Sequence, residues 1–367
     1  MTETHIPFTG VVRALPASTP FVGPEALERI RGAKFDARIG ANESAFGMSP
    51  KAKAAIVAEI ERASWYGDPE NYELREALAA HHGVSMDEIC VCAGIDNIFS
   101  VVVRMVVSPG VPVVTSLGAY PTFNYQVNGN GGVLKTVPYH RDMEDPEALL
   151  AAARNEGAPL IFIANPDNPM GTWHDADTIQ RMIDGVTPGK LLVLDEAYIE
   201  FAPEGTAPPL DTSNPNVIRT RTFSKAHGMA GMRIGYAIGH KDLITGMNKI
   251  RNQFEVTRLS QVAALASLHD PDFVRHVVTE VEAGKAEINT LADRHNFIAL
   301  PSATNFVAVD VGNGDKARAI LKALDAEGVF IRMPGVPVLD RCIRVTVGTK
   351  QDRALFTEAF DKVIAEL

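Results

Sequence analysis

The sequence predicts an α/β protein in which a mostly parallel sheet, covered by helices, is joined to a smaller α+β domain. Two observations carry that reading. Between residues 89 and 221, short apolar runs at 89–92, 113–115, 160–164, 191–194 and 217–221 alternate with amphipathic stretches at 96–107, 146–155 and 175–183. Short buried strands separated by helices are the mark of a sheet covered on both faces. Beyond Asp242 helical periodicity dominates, with a long stretch from about 273 to 295 and short strand-like runs between helices, a mixture that suits a smaller α+β unit. The expected division is an N-terminal arm contributing to the small domain (1–48), a large domain (49–245) and a small C-terminal domain (246–367).

Each element has a local reason. Residues 1–14 lack clear periodicity and read as an arm. A helix is expected over 24–31, with Pro24 in its first turn and Gly32 behind it. Residues 42–47 form a loop by composition, and Ser49-Pro50 then caps a helix through Ile56 and Ile60 to about 64. After a loop at 65–69, a second helix covers 74–82 and stops at Gly83. In the C-terminal part, strands are expected at 305–309, 329–332 and 343–347, with helices at 317–327 and from 351 onward. There is no internal repeat, low-complexity tract or linker.

Composition narrows the function. With 46% hydrophobic and 22% charged residues in 367, the chain is an ordinary globular protein. A formal charge of -10 with no basic block argues against nucleic acid or an anionic membrane surface as partner and leaves small molecules or a second copy. Three cysteines, Cys90, Cys92 and Cys342, fit a reducing compartment better than a disulfide framework. No apolar run reaches bilayer length, and residues 1–10 lack a basic start and an apolar core, so a cytoplasmic location is expected. Cys90 and Cys92 share one strand face and read as core residues. His81 and His82 end a helix and are expected to be solvated or to face its C-terminal dipole.

The chemistry gathers around Thr222-Phe223-Ser224-Lys225-Ala226-His227-Gly228-Met229-Ala230-Gly231-Met232-Arg233. A lysine in a partly buried, cation-rich pocket is more easily deprotonated, and a neutral amine can condense with an aldehyde or ketone. The hydroxyls of Thr222 and Ser224 and the guanidinium of Arg233 suit a phosphate. Amine site and phosphate site together suggest pyridoxal phosphate. Four strand ends add to this, because open α/β sheets bind ligands at their carboxyl edges. Gly94-Ile95-Asp96 is a strand-to-helix turn that favours an anion, or a plain tight turn with Asp96 as its cap. Phe123 is an aromatic that could stack on a ring or fill the core. Asn165-Pro166-Asp167-Asn168-Pro169-Met170-Gly171 is a rigid turn able to aim Asn168. Asp195, at the end of a buried strand, needs a cation, and a protonated pyridine nitrogen would serve. No His, Cys and carboxylate cluster of metal-ligand spacing surrounds it, so no metal is expected. Glycines 228, 231 and 235 mimic a dinucleotide fingerprint, but they follow the lysine instead of opening the first βα unit.

These residues resemble the lysine segment and strand ends of fold-type I pyridoxal-phosphate-dependent aminotransferases, most closely the histidinol-phosphate aminotransferase family, from about Leu15 to the last helix. The resemblance implies that Lys225 carries the cofactor and then acts as general base and acid. It also implies that the amides of Gly94, Ile95 and Asp96 hold the cofactor phosphate, that Phe123 stacks on its ring, that Asn168 and Tyr198 bond its phenolic oxygen and that Asp195 pairs with its pyridine nitrogen. Arg332 and Arg344 would grip the substrate's phosphate or carboxylate, with Asn42 and Phe21 nearby. At Phe21 the family commonly has a tyrosine, so a hydroxyl is missing. Tyr66 matches a tyrosine that reaches the neighbouring subunit's cofactor phosphate, implying a homodimer with shared active sites. The implied reaction is transamination between histidinol phosphate and a 2-oxo acid, 2-oxoglutarate. Relatives acting on aromatic or other amino acids, and threonine-phosphate decarboxylases, share the frame and its cofactor motifs. A regulator that only senses the cofactor would carry an added DNA-binding domain, and no basic helix pair precedes Pro24.

Overall fold

The computed structural model describes residues 6–17 and 22–367. The strands in chain order are β1 (Ala37–Arg38), β2 (Ile89–Cys92), β3 (Pro112–Ser116), β4 (Val133–Val137), β5 (Leu160–Ala164), β6 (Leu191–Asp195), β7 (Val217–Thr222), β8 (Gly235–Gly239), β9 (Ile298–Ala299), β10 (Phe306–Asp310), β11 (Val329–Phe330) and β12 (Cys342–Thr346). A seven-stranded sheet has the order β2-β8-β7-β6-β5-β3-β4. β3, β4, β5, β6 and β7 pair in parallel, whereas β8 is antiparallel to both β7 and β2. All strands of the sheet except β8 therefore end on one edge.

That edge exists because of how the strands are made. β2, β5 and β6 are continuous apolar runs buried on both faces, which only a sheet covered on both sides can hold. Crossover helices Ile95–Val106, Pro146–Asn155 and Ala176–Asp184 supply the cover. The last two start at Asp145 and Asp175, whose side chains accept amides of the first turn. A second group of strands joins distant parts of the chain. β10 pairs antiparallel with β12 and β9, and β1, near the N-terminus, pairs in parallel with β11. Helices Pro271–Arg294 and Lys350–Glu366 accompany them.

Several expectations need correction. Periodicity missed β4, β8 and the helix Pro121–Gly129. β8 is short and glycine-bounded, and β4 lies at the sheet's edge with an only partly buried pattern, so neither gives the apolar signal of a central strand. A helix at Gly10–Ala14 interrupts the expected arm; it buries no residue, which leaves no apolar stripe to read. His82 is not solvated: its Nε2 lies 2.9 Å from the Tyr236 hydroxyl, and burial pushes its pKa down to about 3. Cys90 and Cys92 are core residues as expected, fully buried on β2.

Candidate active site

Lys225 sits in the connection between β7 and β8. Because β8 returns directly beside β7, Phe223 to Ile234 must turn over at the carboxyl edge of the sheet, and the Phe223 amide donates to the Ile234 carbonyl at its neck (3.2 Å). The loop is clamped against residues 42–47. Gly228 has φ +68°, and a Cβ there would lie 1.8 Å from the Gly47 carbonyl oxygen, so only glycine permits this crossing. Half-buried Lys225 donates from Nζ to the Asn42 carbonyl (3.1 Å) and lies 5.4 Å from the centre of the Tyr198 ring.

Beneath it lies a cavity of about 300 Å³, lined by Asp96, Tyr120, Asn168, Asp195, Tyr198 and Ser224 among others. Asp195 ends β6 and is buried; its neighbour across the ladder, Thr220, donates Oγ1–H to Oδ1 (3.0 Å), and the Ala197 amide donates to the same oxygen (3.1 Å). No cation of the chain pairs with it among the described residues. Burial therefore pushes its pKa up to about 7, against the pull of those two hydrogen bonds. A buried carboxyl held in place but left without a counter-charge is the donor set that a bound pyridinium would complete.

Three side chains link the cavity to the second group of strands. Asn42, left-handed at φ 56° and buried, donates Nδ2–H to the Tyr198 hydroxyl (2.9 Å) and accepts from Thr346 Oγ1 (3.0 Å). Its side chain braces Tyr198, between Ala41 and Glu43, which line the cavity. Asn168 lines the cavity and accepts from Arg344 Nη1 (2.6 Å), while Nη2 of Arg344 donates to the Gly40 carbonyl (3.2 Å). Arg344 Nε is buried with no hydrogen-bond partner among the described residues. Arg332 and Arg344 are bridged backbone to backbone, and their guanidiniums are close enough that burial first, and then the charge of Arg344, draws Arg332 down to about 10.

At the opposite end, Gly94 (φ +85°) precedes the helix Ile95–Val106, and a Cβ on it would lie 2.6 Å from Arg233 Nη2. Arg233 in turn reaches Asp96 (3.4 Å). Here the expectation for Gly94 is corrected: its amide donates to the Cys92 carbonyl (2.7 Å) in a tight turn, leaving the first-turn amides of Ile95 and Asp96 for an anion. Ser224 lines the same end, and its amide donates to Thr222 Oγ1 (3.0 Å), which orients Thr222 below it.

Phe123 is also corrected. It is fully buried, stacked on Phe162 at 4.3 Å and edge-on to Phe99, with no face toward the cavity. From this stretch it is Tyr120 that lines the cavity, and its hydroxyl donates to Asp96 (3.1 Å). Sequence reasoning passed over Tyr120 because it and Phe123 lie in the same short stretch. Only the helix beginning at Pro121 decides that one faces the core and the other the cavity. Thr220 and Asn305, which donates to the Asn42 carbonyl (3.2 Å), were likewise missed; a hydroxyl two residues before the end of β7 was the one available signal. Tyr66 is exposed, packs on Phe254 (4.8 Å) and does not line this cavity. Phe21 lies outside the described residues. Among the described residues there is no group of His, Cys, Asp and Glu able to hold a metal, and no helix is long and apolar enough to cross a membrane.

A lysine over a cavity, a strand-end carboxyl without a cation and an anion turn at one end define a cofactor-dependent α/β transferase of fold-type I. The comparisons agree. A family model described as aminotransferase class I and II matches residues 37–361. A histidinol-phosphate aminotransferase of Nitrosospira multiformis is 34% identical over 88% of this chain and 82% of its own length. One from Pseudomonas aeruginosa is 34% identical, covering 89% of each chain. The crystal structure of histidinol-phosphate aminotransferase from Sinorhizobium meliloti in complex with pyridoxal-5'-phosphate superposes with a TM-score of 0.97 at 46% identity, covering 100% of both chains. The chain belongs to the class I and II aminotransferases, and it is a pyridoxal-phosphate-dependent enzyme.

Proposed function

We propose that this enzyme moves the amino group of L-histidinol phosphate to a 2-oxo acid, 2-oxoglutarate. The observation that carries the donor is the arginine pair. Arg332 and Arg344 are paired across a backbone bridge; burial first, and then the charge of Arg344, lowers Arg332, and Arg344 keeps a buried Nε without a partner among the described residues. Two arginines on neighbouring segments suit a dianion, and a phosphate supplies one. The names of the relatives point the same way.

When bound, pyridoxal phosphate supplies an aldehyde for the donor's amine and an electron-withdrawing ring. The chain does the rest. Lys225 would hold the cofactor through Nζ and, with its amine free, would serve as the base and acid that moves the donor carbon's proton. Asp195 would supply the carboxylate for a protonated ring nitrogen, and Asn168 and Tyr198 would offer hydrogen bonds to the ring's oxygen. The amides of Ile95 and Asp96, with Ser224 and Arg233, would take the cofactor phosphate.

The proposal includes a homodimer in the cytoplasm, divided at about 48 and 245 as the sequence suggests. The dimer is supported by the exposed rings of Tyr66 (76% exposed) and Phe254, packed together at 4.8 Å, with Trp65 next to Tyr66 in the chain, a patch of the kind that marks an interface.

The test is a half-reaction. The cofactor-loaded protein is mixed with one donor and no acceptor, and the visible band of the lysine-bound cofactor is followed. Fast loss with L-histidinol phosphate and slow loss with phenylalanine, tyrosine, glutamate or aspartate is expected. Fast loss only with an amino acid would discard this donor. Lys225→Ala should show neither the band nor turnover.

A further inference from the structure

The turn that carries Asn168 rests on a buried group the reaction does not use. Glu144, on the loop before the helix Pro146–Asn155, is 2% exposed and sits between the ends of two strands. Its Oε2 accepts from Ser116 Oγ (2.6 Å), at the end of β3, and its Oε1 accepts from the Ala164 amide (2.9 Å), at the end of β5. Asp167, also 2% exposed, lies within hydrogen-bonding reach of it. Asp167 accepts the Met170 amide (2.9 Å) and the Tyr139 hydroxyl (2.8 Å). His174 closes the group, with Nε2 2.7 Å from the Glu144 carbonyl and its amide donating to Asn165 Oδ1 (2.8 Å).

Two buried carboxyls this close cannot both be ionised at low cost. Burial, with the charge of Asp167 behind it, holds the Glu144 carboxyl well above the usual carboxylate range. Burial raises Asp167 as well, to about 7, but its hydrogen bonds and the positive charge of Arg344 pull against the rise. One proton shared between them relieves the pair, and Asp167, which accepts from the Met170 amide and the Tyr139 hydroxyl and feels the charge of Arg344, is the better placed to carry the negative charge.

We propose that Glu144 is a positioning residue: by donating a hydrogen bond to Asp167 it holds the 165–171 turn so that Asn168 meets the cofactor's ring oxygen and Arg344 is held toward the substrate's anion. Asn168 is the next residue after Asp167 and is the acceptor of Arg344 Nη1, so a shift of the turn moves both. The same turn is fixed on its far side, where the Ala303 amide donates to the Gly171 carbonyl (2.8 Å) and Met170 is buried among Leu300, Leu339 and Cys342. Glu144 is the support on the sheet side. This inference rests on the aminotransferase reading of the site.

The test compares Glu144→Gln, which keeps a donor, with Glu144→Leu, which keeps only bulk. In Glu144→Leu the donor KM is expected to rise about tenfold, the loss of one strong hydrogen bond, with kcat within about threefold. The pH midpoint of the lysine-bound cofactor's visible band should move upward, because a displaced Asn168 no longer stabilises the ionised ring oxygen. Glu144→Gln should restore both. A folded Glu144→Leu with wild-type KM and midpoint overturns the proposal, and so does a Glu144→Gln as impaired as Glu144→Leu. If Glu144→Leu does not fold, Tyr139→Phe removes another bond to Asp167 and should shift the midpoint in the same direction; no shift overturns the proposal. Absence of the band in the unsubstituted protein would instead mark failure of the Lys225 reading.

Discussion

Asp195 and Glu196 are consecutive residues, both buried at the end of β6, and their environments drive them in opposite directions. Asp195 faces the cavity, accepts from the Thr220 hydroxyl and the Ala197 amide with no cation beside it among the described residues, and is raised by burial to about 7. Glu196 points to the other side of the strand, where Arg219 and Arg221 both reach it. Burial alone would raise Glu196 too, but the charges of Arg221 and Arg219 outweigh it and lower its pKa. The comparison shows how to tell a structural buried carboxylate from a functional one: the first has its cation built in, and the second waits for one.

Substitutions can break the contrast. Asp195→Asn keeps the shape but cannot carry the charge, and transamination is expected to fall on the order of 10³-fold, about 4 kcal/mol; single-turnover rates check it. A pH series separates the two groups. Asp195 rises from 3.8 to about 7 on folding, so its stabilising preference for the protonated state is complete below about pH 4 and is lost as pH climbs through 7. For cofactor-free protein this amounts to about 4 kcal/mol, read as the change in urea midpoint of wild type relative to Asp195→Asn between pH 4 and pH 8. Glu196 has the opposite sign: its lowered pKa gives stability above about pH 4.5 that fades in acid.

Glu196→Leu leaves two buried guanidiniums uncompensated and should destabilise the fold by about 3 kcal/mol or more, while turnover per folded molecule changes little. Denaturant unfolding with active-site titration separates those effects. The smallest change is Thr220→Val, which removes one hydrogen bond to Asp195. It should cost about 1 kcal/mol in cofactor affinity, measured by equilibrium dialysis, and leave the Glu196 side untouched.

The same logic explains what could be read without coordinates. Asp195 was legible because a carboxylate directly after Leu191-Leu192-Val193-Leu194 must be buried, and a buried charge needs an account. Lys225 was legible for the company it keeps in sequence. Asn168 and Arg344 were each legible as candidates, but their contact was not, since 176 residues separate them. Phe123 and Tyr120 were exchanged because an aromatic's direction depends on the phase of its helix. The spent amide of Gly94 could not be seen, since the turn's hydrogen bond depends on its dihedral angles.

By itself the sequence determined the alternation of buried strands and crossover helices, the edge at which their ends collect and the residue types waiting there, because hydrophobic periodicity and the cost of a buried charge are local properties. Only the tertiary structure decided which of those residues meet. The left-handed Asn42 braces Tyr198, Glu144 rests under Asp167 and Arg332 stands beside Arg344. Such contacts depend on where segments far apart in the chain are packed together, and the pairing of β1 with β11 and of β10 with β12 is what brings those segments to the cavity.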